Sequence, residues 1–245
     1  MNIRNLFRPT RYKGYLKWIG ISLSKMHPYA YASFSQTGED LLILSAFRFL
    51  KIQKPTYLDI GAHHPTHLSN TFRLYREGCH GICVEPNPAL AKLFARTRPR
   101  DTILPIAIGT KNGTTTLHIV SDDALSTISP THADYFSSAS KHSIAQEIQV
   151  EERTVMSVLQ KYFPHSPPDL VSLDIEGMDL AVIQSINFDM CRPAVFCIET
   201  LTYDESGAVH KITQIVQEME SNGYFVFADT FLNTIFVDQK RWNNR

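Results

Sequence analysis

From Ser35 onward, short apolar runs alternate with longer segments in which apolar residues recur every three or four positions. Leu41, Leu44, Ala46 and Phe47 share one face of a predicted helix over 40–50. Thr37-Gly38-Glu39-Asp40 opens it with a turn and two acids suited to a helix N-terminus. Buried strands are predicted at 57–60, ending in Gly61, and at 81–84, closed by Glu85-Pro86-Asn87-Pro88. Helices are predicted between and after them, at 70–77 before Gly78 and at 89–97 before Pro99. A third strand is read over 102–108. After the turn signal Lys111-Asn112-Gly113 a further β-like run covers 114–120. Residues 121–143 are polar, rich in serine and histidine, and read as a long loop or partly helical cover over a site. Beyond it come a helix at 154–162, a strand at 170–173, a helix at 179–185 and a strand at 194–198. A helix at 210–221 and a closing hairpin, 224–228 with 234–237, complete the chain.

This alternation implies an α/β fold with a mainly parallel, doubly wound sheet, and the hairpin adds an antiparallel C-terminal strand. No repeat or linker divides it. The expected organisation is one domain over 33–245 preceded by a basic extension over 1–32. In that extension Arg4, Arg8, Arg11, Lys13, Lys17 and Lys25 occur with no acid before Glu39, among Phe7, Tyr12, Tyr15 and Trp18. Two readings stand: an arm packed on the domain or on a second subunit, or a peripheral contact with an anionic membrane surface. Its apolar part is too short to span a bilayer.

Composition narrows the partners. The formal net charge is zero, which argues against nucleic acid as the main partner. Cys79, Cys83, Cys191 and Cys197 form no Cys-x-x-Cys pair and read as reduced core thiols of a cytoplasmic protein.

In a doubly wound sheet, ligands bind at the carboxyl ends of the strands. Asp59, Glu85, Asp174 and Glu199 each stand at the end of an apolar run there. Gly61 lets the backbone approach a ligand, but Asp59-Ile60-Gly61-Ala62 does not continue as Gly-x-Gly-x-x-Gly. That weakens the case for a pyrophosphate, and hence for a nicotinamide-dependent oxidoreductase. An aspartate suits instead a ligand with a cationic amino-acid end, such as S-adenosylmethionine, and Glu85 is placed to accept hydrogen bonds from ribose hydroxyls. Asp174 and Glu176 can orient an acceptor hydroxyl, act as general base, or hold a divalent cation. Asp59, Glu176 and Asp179 are equally good helix caps, and Glu199 is an acceptor-side candidate. His63, His64 and His67 lack a completing acid or cysteine for zinc. A histidine near the cofactor's methionine end, or beside the acceptor as a base, is the better reading.

Taken in order, several segments resemble the FkbM family of methyltransferases. They are Phe34-Ser35-Gln36-Thr37-Gly38-Glu39-Asp40, Leu58-Asp59-Ile60-Gly61-Ala62-His63-His64-Pro65, Ser69-Asn70-Thr71 and Val84-Glu85-Pro86-Asn87-Pro88. Leu125-Ser126-Thr127, Ser172-Leu173-Asp174-Ile175-Glu176-Gly177 and Asp229-Thr230 follow. The resemblance runs from about Ser33 to Trp242. It implies a class I, Rossmann-like methyltransferase fold with a seven-stranded sheet, S-adenosylmethionine as cofactor, and methyl transfer to a hydroxyl of a sugar, glycan or natural product. It implies that Asp59 and Gly61 bracket the methionine portion, Glu85 the ribose, and Ile106-Ala107 the adenine edge. Ser35, Gln36 and Glu39 would close the site from the N-terminal side, and Ala62, Asn70 and Pro86 complete the cofactor set. Asp174 would face the transferring methyl and act as base, with Glu176 or a histidine, His64 foremost, as alternatives. A related sugar methyltransferase family binds its acceptor with magnesium, which leaves a divalent cation open here. The competing reading is a binding protein that keeps the fold without catalysis.

Overall fold

The computed structural model describes residues 31–138, 142–203 and 209–245. The basic extension assigned to 1–32 lies almost wholly outside them.

Helix α1 (Glu39–Phe49) opens after Gly38, whose φ of 97° gives the chain its left-handed turn into the helix. Strand β1 (Tyr57–Ile60), helix α2 (Phe72–Arg76), strand β2 (Gly81–Val84) and helix α3 (Pro88–Thr97) follow. The α3 N-terminus is set by Asn87, which accepts from the Ala89 amide, and by Pro88, which needs no donor there. Then come β3 (Thr102–Leu104), β4 (Ala107–Gly109) and β5 (Gly113–Val120). A short 3-10 turn (Asp123–Leu125) and α4 (Pro130–Ser138) lead to β6 (Ile144–Thr154) and α5 (Val155–Tyr162), which Thr154 caps. The remainder is β7 (Leu170–Leu173), α6 (Asp179–Gln184), β8 (Val195–Glu199), the pair β9 (Leu201–Tyr203) and β10 (Val209–Lys211), α7 (Thr213–Ser221), β11 (Tyr224–Asp229), β12 (Asn233–Asp238) and α8 (Gln239–Asn243).

Seven strands form one sheet in the order β11-β12-β8-β7-β1-β2-β3. All pairings from β8 to β3 are parallel, and β12 runs antiparallel to both neighbours. This is the expected doubly wound, mainly parallel seven-stranded arrangement with an antiparallel C-terminal strand. Because β1 is the central strand from which the order departs in both directions, the crevice between β1 and its neighbours is the switch point where such sheets bind ligands.

Alternation along the strands gives the sheet two apolar faces. Leu58, Ile60, Val84, Val171, Leu173, Phe196 and Phe236 pack beneath α5, α6 and α7. Tyr57, Cys83, Leu170, Val195, Cys197, Ile235 and Val237 pack against α1, Leu74 of α2 and Phe94 of α3. Burying each such side chain contributes roughly 1.5–3 kcal/mol, so both layers hold the strand ends that carry the acids. All four cysteines are buried and unpaired.

Three expectations need correction. The strand read over 102–108 is two strands. Pro105 has no amide to donate, the ladder to β2 ends at Leu104, and Ala107 onward pairs instead with β6. Strand β6 was not expected. It joins β4 and β5 in a separate three-stranded sheet, and its many exposed Gln and Glu side chains mask the alternation. Helix α7 starts at Thr213, because 209–211 pairs with β9.

Candidate active site

At the switch point lies an open cleft between the carboxyl ends of β1, β2 and β7 and the small sheet. Val84, Pro86, Ile106, Ala107, Ile108 and Leu117 give it apolar walls, while Gly61, Glu85 and Asp174 stand at its strand ends. Gly61 has φ 76°, and a Cβ there would lie 1.8 Å from the Asp174 carbonyl oxygen. Only glycine therefore lets β1 and β7 leave the sheet side by side. The Asp174 amide donates to the Ile60 carbonyl, and the Gly61 and Ala62 amides to the Val84 carbonyl.

Glu85 is 6% exposed. Its carboxylate accepts from the Asn87 amide at 2.7 Å and the His63 amide at 2.9 Å. Burial raises its pKa to about 7, against those two hydrogen bonds. His63, at φ 49°, lines the same cleft and reaches Asp123 across it, Nε2 to Oδ1 at 3.0 Å. Ser126 and Thr127 line it too. His64 does not. Its Nδ1 accepts from the Thr66 and His67 amides, which ties the ring to its own turn.

Asp59 leaves β1 on the other face of the sheet. There it accepts from Thr71 Oγ1, and burial pushes its carboxyl upward against the pull of Arg98. Asn70 donates to Ser172 Oγ on the same side. Arg98, 1% exposed, organises this layer. Its guanidinium donates to Asp101 at 2.6 Å, Thr71 at 2.9 Å, Tyr57 at 3.0 Å, and to Pro65 O and Ser69 Oγ at 3.4 Å. One buried cation thus fixes both ends of the loop that carries His63 to Asn70. Nothing in the local sequence pattern marks it.

The N-terminal segment meets the far edge of the same rim. Ser35 and Ser33 donate to Asp40, which also takes the Phe34 amide, so Ser35 serves the start of α1. Glu39, fully buried, accepts from Thr37, Thr230 Oγ1 at 2.8 Å and Asn233 Nδ2 at 3.1 Å. Burial alone would raise its pKa, but these hydrogen bonds outweigh it and hold the carboxyl below the usual range. Gln36 is half-buried between the two.

Asp174, Glu176 and Glu199 bring carboxylate oxygens within 4.8 Å of one another. Glu176 (φ 46°) and Gly177 (φ 95°) form the tight turn that does this, held by Thr127 Oγ1 donating to the Glu176 carbonyl at 2.9 Å. A Cβ on Gly177 would strike the His132 ring at 2.1 Å. Asp179 accepts from the Ile175 amide, and burial with the Asp174 charge raises it to about 7. Burial, then Asp174, Glu176 and Asp179, push Glu199 well above the usual carboxylate range.

The fold is doubly wound α/β, with a cleft at the switch point whose lining includes Glu85, Asp174 and Glu176. The family described as the Methyltransferase FkbM domain matches residues 59–226. The chain belongs to that family and is a methyltransferase.

No curated protein matches it in sequence. Among solved structures it is similar to the 1,6-didemethyltoxoflavin-N1-methyltransferase of Burkholderia thailandensis with bound 1,6-didemethyltoxoflavin and S-adenosylhomocysteine. That match has 12% identity over 94% of this chain and 88% of that one, with a TM-score of 0.39. It is also similar to an O-methyltransferase from Bacillus cereus in complex with S-adenosylhomocysteine (10%, 96% and 98%, 0.43). A third likeness is to precorrin-6y C5,15-methyltransferase from Geobacter metallireducens (14%, 84% and 82%, 0.42). These likenesses are too loose to carry residue roles between chains. Among the described residues no helix is long and apolar enough to cross a membrane.

Proposed function

We propose that this methyltransferase moves the methyl group of S-adenosylmethionine to a hydroxyl oxygen of a small acceptor, a sugar, glycan or natural product. The observation that carries the reading is Glu85. It is a buried carboxylate oriented by two backbone amides, between the glycine exit of β1 and an apolar slot. Paired ribose hydroxyls need such an acceptor, and a purine suits the slot lined by Ile106 and Ala107.

Bound S-adenosylmethionine supplies a methyl on a positively charged sulfur, already activated for displacement. The chain's work is positioning and proton removal. Glu85 holds the ribose and Gly61 allows close backbone approach. Gln36, Ala62 and Pro86 complete the cofactor side, and Glu39, tied to Thr230 and Asn233, closes the rim from the N-terminal side. Asp59 acts through Thr71 and Asn70 through Ser172, on the opposite face of the sheet, rather than by facing the slot. Asp174, at the junction of slot and acidic rim, accepts the hydroxyl proton as the oxygen–methyl bond forms and the sulfur–methyl bond breaks. Glu176 is the alternative base, ahead of His64, whose Nδ1 is engaged in its own turn. A divalent cation such as magnesium is proposed on the acceptor side. The basic residues before position 31 are proposed to guide a cytoplasmic enzyme to an anionic membrane surface or to a second subunit.

Calorimetry with S-adenosylmethionine tests this. Binding is expected in the micromolar range, and Glu85→Ala should weaken it at least tenfold, about 1.4 kcal/mol. A folded protein that ignores millimolar cofactor would overturn the reading.

A further inference from the structure

Asn233 begins β12 and lies directly opposite Glu199 of β8 in the antiparallel register. Side chains of such partners leave the sheet on the same face, with Cβ atoms about 5 Å apart. Asn233 is 3% exposed. Its Nδ2 donates to Glu39 Oε1 at 3.1 Å. That contact fixes the amide's orientation, because the carboxylate needs a donor and would repel Oδ1. Oδ1 is left over. Among the described residues it is the one buried side-chain nitrogen or oxygen with no hydrogen-bond partner. Leaving a buried carbonyl oxygen in that condition is unfavourable, so a ligand that satisfies it gains.

The neighbourhood says what kind of ligand. Asn233 adjoins Glu199, and Glu199 belongs to the trio of carboxylates whose oxygens approach one another within 4.8 Å. An amide oxygen on the strand position opposite Glu199, added to the three carboxylates, makes a set of hard oxygen donors without sulfur or imidazole.

We propose that Asp174, Glu176, Glu199 and Oδ1 of Asn233 form a binding site for a divalent cation of the magnesium or manganese class. Glu39 is a positioning residue that aims the amide. The site lies where the proposed function puts the acceptor, and it deepens that reading by naming the ligands. A hard cation there would supply positive charge beside the acceptor oxygens.

Manganese(II) added to the full chain, without cofactor or acceptor, is followed by loss of its free-ion electron paramagnetic resonance signal. One ion per chain is expected, displaced by excess magnesium. Glu199→Gln should weaken it at least about tenfold, and Asn233→Leu several-fold, whereas Asn233→Asp should hold the ion at least as tightly as the unaltered chain. Far-UV circular dichroism and the thermal midpoint of each variant serve as the folding control. Wild-type protein that binds S-adenosylmethionine but no manganese overturns the cation site and leaves methyl transfer standing. Manganese uptake unaltered in both Glu199→Gln and Asn233→Leu overturns the ligand assignment. Manganese bound without S-adenosylmethionine keeps the cation site and removes the proposed donor.

Discussion

Near neutral pH the carboxyl of Glu85 is close to its midpoint, since burial sets it at about 7. The unfolded chain titrates a glutamate near 4.5, so the native protein holds this proton more tightly than the unfolded one. The resulting stability is fully present below pH 4.5 and is lost as pH rises through about 7. Cofactor binding runs the other way. Ribose hydroxyls donate to the ionised form, so binding favours release of the proton. Affinity for S-adenosylmethionine should therefore rise as pH goes from about 6 to 7.5, by up to roughly tenfold per unit below the midpoint, and then level off. Calorimetry across that range checks it, and Glu85→Gln should flatten the profile. A slope that persists in Glu85→Gln would assign the titration to another group. Glu85, Gly61 and Asp174 were legible because each ends a short apolar run at the rim where ligands bind. Arg98 and Asn233 were not. Each acts through partners remote in the chain, Asn233 through Glu39 at a separation of 194 positions and Arg98 through Tyr57 at 41. Local pattern carries no trace of such pairs.

At the level of elements, the central strands declare themselves. β1, β2, β7 and β8 are buried on both faces and read as continuous apolar runs. The small sheet hides because one side of it meets solvent. Strand β6 is fixed by its pairing with β5 from Gly113 to Val120, which no window of its own sequence contains. The loop between β1 and α2 is a further case. It has little regular structure, yet it is held from below by the end of α3 through Arg98, whose guanidinium reaches Pro65, Ser69 and Thr71. Arg98→Met keeps the side chain's bulk and removes the cation. Asp101, 2.6 Å from Arg98 Nε, and Asp59 nearby then lose their buried counter-charge. Loss of about 3–5 kcal/mol of stability is expected in urea unfolding. If the variant unfolds at the same midpoint, the guanidinium is not what anchors this loop.

The whole molecule separates support from chemistry. Two apolar layers grip a sheet whose carboxyl edge gathers Glu39, Asp59, Glu85, Asp174, Glu176 and Glu199, all nine-tenths or more buried except Asp174. Concentrating carboxylates there works against folding, and ligands that take up their hydrogen bonds or charge should return stability to the fold. S-adenosylmethionine at a hundred times its dissociation constant should add about 2.7 kcal/mol. For a chain of this length that corresponds to a rise of roughly 5–10 °C in Tm. Manganese(II) or magnesium at similar excess should produce a separate increment, since the two sites share Asp174 but are otherwise distinct. Thermal melts with each ligand alone and both together measure the coupling. Additive shifts would mean that Asp174 serves the two sites independently. A combined shift larger than the sum would mean that filling one orders the other, as expected if the turn at Glu176 and Gly177 is set by both. No shift with either ligand would mean that the acidic rim binds neither.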